Sequence, residues 1–156
     1  MPVNFIVNLL ILLPARIASY FSWAGPLLMR LIVGYTFMLT GWGKLTNLAQ
    51  VTENFVGWGI PFPKILTPFV SGVECFGGAM LILGLFTRIP AAMLAVVMLV
   101  AIRSAKWGDI DSLETLLGFE EMTYFAAFTW LAIAGPGAAS LDRLLVNAAG
   151  HAKEST

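Results

Sequence analysis

Four long apolar runs, separated by short polar or proline-containing connections, dominate the hydrophobic pattern of this chain. They cover residues 26–46, 65–87, 89–107 and 119–138, each of about 20 residues. At a helical rise of about 1.5 Å per residue, such runs cross the roughly 30 Å hydrocarbon core of a bilayer. The pattern therefore predicts an all-α integral membrane protein built as a four-helix bundle.

The two ends of the chain do not follow this pattern. The apolar stretch 5–13 is too short to span a bilayer, and Pro14 and the aromatic residues Tyr20, Phe21 and Trp23 follow it. Such aromatic side chains collect at the membrane–water boundary, which favours an N-terminal interfacial helix over a signal peptide. We divide the chain into an interfacial segment 1–25, a transmembrane domain 26–140 and a polar C-terminal tail 141–156.

The composition of the chain excludes several kinds of partner and redox site. Hydrophobic residues make up 58% of the 156 residues, charged residues 12%, and the net charge is zero, so we expect no nucleic-acid partner. The single cysteine, Cys75, and the single histidine, His151, exclude an intrachain disulfide and a bis-histidine haem. We predict no metal site, so electron transfer would need a partner protein's cofactor or a bound diffusible one.

Basic residues divide almost evenly between the two ends of the predicted bundle. The side that holds both termini carries five of them, Arg16, Arg30, Arg88, Arg143 and Lys153, and the opposite side carries four, Lys44, Lys64, Arg103 and Lys106. Because cytoplasmic loops are enriched in lysine and arginine, this small excess predicts cytoplasmic termini.

Glu74 is the first candidate for a functional residue. It is the only formal charge in the second run up to Thr87, and a carboxylate at that depth is costly unless it is protonated, paired or in contact with water. Residues at helical spacing form one stripe around it, Thr67, Ser71, Glu74 and Gly78, and a similar stripe on the first run contains Arg30, Gly34, Phe37, Gly41 and Lys44. Small residues let helices approach closely, so the two stripes are predicted to face each other.

Counting the helical rise from the centre of each run places four charges in the same half of the membrane. They are Lys44, Glu74, Arg103 and Glu121, all within about 12 Å of the centre. By depth, Glu74 and Arg103 form the predicted ion pair. The cluster is interpreted either as a ligand site or as structural neutralisation that fixes helix order.

Two further expectations each concern a pair of residues. Tyr124 and Phe128 share a helix face with Glu121, so they are candidates to stack on a flat ring. Arg30 and Arg88 lie at the opposite membrane interface, where long basic side chains extend to the phosphates.

Two sequence stretches resemble the DoxX family of small four-helix membrane proteins: RLIVGYTFMLTGWGKL (30–45) and ECFGGAMLILGLFTR (74–88). The likeness covers about residues 26–140. It implies a four-helix bundle in the bacterial inner membrane. The family is similar to a subunit of a thiosulfate:quinone oxidoreductase, and other members accompany redox or detoxification partners.

These observations favour a subunit or accessory of a quinone-linked membrane redox system. The polar cluster would hold a quinone headgroup or relay protons, and the chain would be at most one subunit of an oxidoreductase, with a redox partner protein. One alternative is a non-catalytic scaffold that anchors a partner enzyme. Another is a small-solute permease, for which four spans would require a homo-oligomer.

Overall fold

The computed structural model describes residues 6–154, which are almost entirely helical and contain no strand. The first five residues of the predicted interfacial segment and the last two of the tail lie outside the described residues. The expected fold class, an all-α membrane bundle, is confirmed.

The helices follow one another with short connections. A π-helical segment, Asn8–Leu12, continues into the first α-helix, and a second π-helical segment, Ile102–Lys106, extends the fifth. The α-helices are α1 (Leu13–Tyr20), α2 (Ala24–Thr46), α3 (Leu48–Gly57), α4 (Pro63–Leu83), α5 (Arg88–Ala101), α6 (Leu113–Gly118), α7 (Glu120–Ala134) and α8 (Leu141–Glu154).

Helices α2, α4, α5 and α7 form the bundle. Helix α2 packs mainly on α4, α5 packs mainly on α7, and α4 and α5 join the two pairs. The buried core of the bundle includes Val33, Phe37, Leu81, Leu94, Met98, Phe128 and Leu131. Among the described residues, three helical stretches are long and apolar enough to cross a membrane, Ala24–Thr46, Pro63–Leu83 and Arg88–Asp109. The predicted fourth run, 119–138, is the shorter helix α7 of 15 residues.

Glycines hold α2 and α4 at close range. A Cβ atom at Gly34 would lie 2.8 Å from the carbonyl oxygen of Gly78, and one at Gly41 would overlap the backbone of Cys75. Gly43, on another face of α2, has open space beside it. The predicted facing of the two small-residue stripes is therefore confirmed, since only glycine permits this approach.

The terminal helices present apolar side chains outward. Every described side chain from Ile6 to Phe21 is exposed. The tail, expected to be polar, forms α8, on which Leu144, Leu145 and Val146 are also exposed.

Candidate functional site

Two ion pairs lie at the end of the bundle opposite the termini. Lys44 on α2 donates from Nζ to Glu74 Oε1 on α4 at 2.7 Å. Lys106, at the end of the π-helical extension of α5, donates to Glu121 Oε2 on α7 at 2.8 Å. We call these four residues the lysine end. All four bundle elements contribute a charge there, and each charge has an opposite partner.

Both ion pairs line one cavity of about 660 Å³. Its wall is mostly apolar, with contributions from α2, α4, α5 and α7 and from Phe55 and Trp58 at the end of α3. The polar residues that also line it include Thr36, Thr40, Ser104 and Tyr124. An apolar chamber with a few polar groups at one end is the usual form of a small-molecule site.

Glu74 is the most unusual group in the cavity wall. Its side chain is only 2% exposed, whereas that of Lys44 is 31% exposed. The Oε1 atom accepts from Lys44, but Oε2 is buried and has no hydrogen-bond partner among the described residues. Because buried polar atoms are nearly always paired, this carboxylate oxygen is an exception.

The cavity reaches the outer surface of the bundle between α4 and α5. Four apolar residues that line it are also exposed on that surface, Phe69, Met93, Val96 and Val100. These four side chains form an apolar rim of the cavity.

The predicted polar cluster is partly assembled. Lys44, Glu74 and Glu121 line the cavity, but the predicted pairing of Glu74 with Arg103 is wrong. Arg103 is exposed, and its guanidinium carbon lies 4.9 Å from the centre of the Trp107 ring. The pairing was predicted from depth in the membrane alone. Arg103 points away from Glu74 because it follows the inward-facing Ile102 and is turned by about 100° from it around the helix axis.

Lys106 was missed as a site residue although the sequence contains a signal for it. Met98 and Ile102 are buried and lie four residues apart, and Lys106 follows after four more. Residues at this spacing share a helix face, so the interior stripe of α5 leads to Lys106.

The predicted ring-stacking pair belongs largely to the core. Phe128 is fully buried and does not line the cavity, and its ring meets that of Phe37 edge-on at 4.8 Å. Tyr124 lines the cavity but also packs edge-on against Phe37 at 5.1 Å. A ligand ring can contact Tyr124, while Phe128 has no free face to offer.

The structure contradicts the predicted role of Arg30 and adds a second role to that of Arg88. Arg30 is 1% exposed, and its Nη2 donates to the carbonyl oxygen of Ala139, so its assignment to the lipid phosphates is wrong. Arg88 is exposed, but its Nη1 donates to the carbonyl oxygens of Ala132 and Ile133 at the end of α7. These carbonyls lack helical partners, and Arg88 satisfies them.

A carboxylate completes this second group of charges. Asp142, at the start of α8, accepts from the backbone N–H groups of Phe86 at 2.6 Å and Thr87 at 3.0 Å. Its own N–H donates to the carbonyl oxygen of Gly84. We call Arg30, Arg88 and Asp142 the arginine end. Its charges bind backbone groups at helix ends.

Comparison with known proteins gives a match to one family model and to several named relatives. A family model described as DoxX matches residues 25–107. Inner membrane protein YqjF of Escherichia coli (strain K12) is 31% identical over 121 residues, covering 78% of this chain and 92% of that protein. Inner membrane protein YphA of the same organism is 29% identical, covering 79% and 94%. "Putative oxidoreductase CatD" of Bacillus subtilis (strain 168) is 29% identical, covering 53% and 60%. No solved structure gives a significant match.

Proposed function

The chain belongs to the DoxX family, and from this premise we propose that it is a membrane subunit or accessory of a redox system that binds a quinone in its cavity. The observation that carries the proposal is the combination of an apolar chamber of about 660 Å³ with two ion pairs in its wall. A quinone has the same division into a polar headgroup and an apolar tail.

The residues of the cavity suit such a molecule. Lys44 and Lys106 each use one of three N–H donors in an ion pair, which leaves donors for ring oxygens. Tyr124 offers an aromatic face, and the exposed apolar rim between α4 and α5 suits a tail that extends into the lipid. The name of the relative in B. subtilis also supports a redox role for this family.

The test is ligand-dependent stability of the purified protein in lipid nanodiscs. A short-chain quinone present at about 100 times its Kd should stabilise the folded state by about 2.7 kcal/mol. Val97→Phe fills part of the cavity and should abolish this shift in the thermal unfolding curve. Ile133→Phe, which changes an exposed side chain of α7 that does not line the cavity, is the matched control. An equal shift in both variants would reject the cavity as the site.

A scaffold function is the second candidate, and one observation favours it. The helical segment Asn8–Tyr20 is apolar, and its side chains are exposed on all faces. Such a surface suits a membrane interface or a partner protein. If no quinone stabilises the protein and a chain lacking residues 1–20 loses a co-purifying redox enzyme, the scaffold function is the better explanation.

We also propose an inner-membrane location with both termini in the cytoplasm. The two relatives from E. coli named as inner membrane proteins support the location, and the lysine and arginine distribution supports the orientation. A reporter fused after Thr156 that is active only in the cytoplasm should give signal. Activity of a periplasm-specific reporter at that position would overturn the orientation.

A further inference from the structure

We infer that the cavity selects a ring that carries a hydrogen-bond donor, so that it holds a hydroquinone more tightly than the corresponding quinone. This rests on the proposed function and assigns the redox form that the site prefers. The inference starts from the unpartnered Oε2 atom of Glu74, a residue that lines the cavity.

The ion pair fixes the hydrogen-bonding character of Glu74. A lysine ammonium group has donors only, so the Oε1 atom of Glu74 acts as an acceptor toward Lys44. An ionised carboxylate has acceptors only, and its Oε2 atom therefore needs a donor from elsewhere. The bound molecule must bring an O–H or N–H group to satisfy it.

Among the described residues, no nearby hydroxyl group supplies that donor. Thr36, Thr40 and Ser104 line the cavity, but each donates to a backbone carbonyl one turn earlier in its own helix. Lys106 donates to Glu121 and not to Oε2 of Glu74. Among the described residues, Glu74 thus keeps a buried acceptor without a partner, and Lys44 beside it has spare donors.

A hydroquinone hydroxyl fits this arrangement because it both donates and accepts. It can donate to Glu74 Oε2 and accept from a free N–H of Lys44. A quinone presents only carbonyl oxygens, which repel a carboxylate oxygen. Hydrogen bonds to charged groups are among the stronger ones, so the hydroquinone should bind about tenfold or more tightly than the quinone.

The experiment compares three probes with the same ring and short tail: hydroquinone, quinone and hydroquinone dimethyl ether. Binding to the wild-type protein in nanodiscs is followed by tryptophan fluorescence under anaerobic conditions. The hydroquinone should bind about tenfold or more tightly than the other two, since the ether retains the shape but lacks the donor.

Glu74→Gln provides the decisive variant. Its amide oxygen still accepts from Lys44, but its NH₂ group replaces the orphan acceptor with a donor. The Glu74→Gln variant should therefore bind the quinone more tightly than the hydroquinone. Glu114→Gln, at an exposed position that does not line the cavity, is the control and should keep the preference for hydroquinone.

The outcomes separate this inference from the proposed function. If all three probes bind equally and Val97→Phe blocks them all, the cavity binds rings but the inference fails. Tighter binding of quinone by the wild type, or an unchanged preference in Glu74→Gln, also overturns it. If none of the probes binds, the proposed function itself fails.

Discussion

The two ends of the bundle use charge in opposite ways. At the arginine end, side chains bind backbone groups: Arg30 and Arg88 donate to carbonyl oxygens, and Asp142 accepts from two N–H groups. At the lysine end, the charges bind one another in the wall of a cavity.

This difference separates structural charge from candidate functional charge. A charge that satisfies a helix end cannot be removed without leaving backbone groups unpaired. A charge pair around a cavity can be replaced as a pair with little loss of stability, because each member mainly neutralises the other. Three predictions test this distinction, and a fourth concerns a carboxylate outside both ends.

The largest effect is expected from Arg30→Met. Arg30 is almost fully buried, and its loss removes the bond to Ala139 and the positive charge near Asp142. Losing a hydrogen bond from a charged donor and leaving the Ala139 carbonyl oxygen unpaired should cost about 2–3 kcal/mol in the free energy of unfolding. Denaturant unfolding in detergent measures this, with Arg143→Met, at an exposed position of the same end, as the control. Similar unfolding midpoints for the two variants would contradict a structural role for Arg30.

At the lysine end we expect non-additive effects. Lys44→Met strands the buried Glu74 carboxylate and should cost about 2 kcal/mol. Glu74→Met should cost less, because the partly exposed Lys44 ammonium can turn toward water. The double variant should recover most of the loss while abolishing ligand binding. Simple addition of the two single effects would show that the pair is not coupled, and Arg103→Gln should rescue neither variant.

Asp142→Asn tests the carboxylate at the arginine end. An amide has one acceptor oxygen, so Phe86 or Thr87 loses its partner, at a cost of about 1–2 kcal/mol. Hydrogen exchange at the start of α5 should accelerate. Asp109→Asn, at an exposed position near the lysine end, should leave that exchange unchanged. Acceleration by both variants would mean that the effect is not specific to this contact.

The smallest effect lies outside the bundle, before α6. Hydrogen bonding from the Thr115 hydroxyl lowers the pKa of the Asp111 carboxyl below its ordinary value. Because its pKa is lower in the folded state, the ionised Asp111 carboxyl stabilises the folded protein at pH values above its unfolded-state pKa. This contribution is lost as the pH falls through the folded-state pKa. Thr115→Val should raise the titration midpoint measured by NMR, whereas Thr123→Val should not. An unchanged titration midpoint in Thr115→Val would show that the Thr115 hydroxyl does not lower the pKa of Asp111.

The helix bundle could be predicted from the sequence because apolar and small residues recur along it at helical spacing. Apolar runs indicated the membrane helices, and glycines such as Gly34 and Gly78 indicated which helices approach closely. The site was predicted less completely. Depth identified Lys44, Glu74 and Glu121, but helix rotation decides between Arg103 and Lys106.

The arginine end was harder to predict because its partners are backbone groups. Arg30 bonds to Ala139, and Asp142 to Phe86 and Thr87, all distant in sequence. A carbonyl or N–H group leaves no mark in the residue pattern, so a buried arginine near a helix end looks like one that extends to lipid. Only the path of the chain after α7 distinguishes the two.

The shortness of α7 has a consequence for the surrounding membrane. Its 15 residues span about 22 Å, against about 34 Å for the 23 residues of α2 and a hydrocarbon core of about 30 Å. A span shorter than the hydrocarbon core is accommodated by local thinning of the bilayer, whereas tilt accommodates only a span that is too long. Because α7 begins next to Glu121, thinning would bring headgroups and water down toward the second ion pair. Reconstitution into bilayers of shorter acyl chains should suit the protein best, and bilayer thickness becomes a variable that controls access to the cavity.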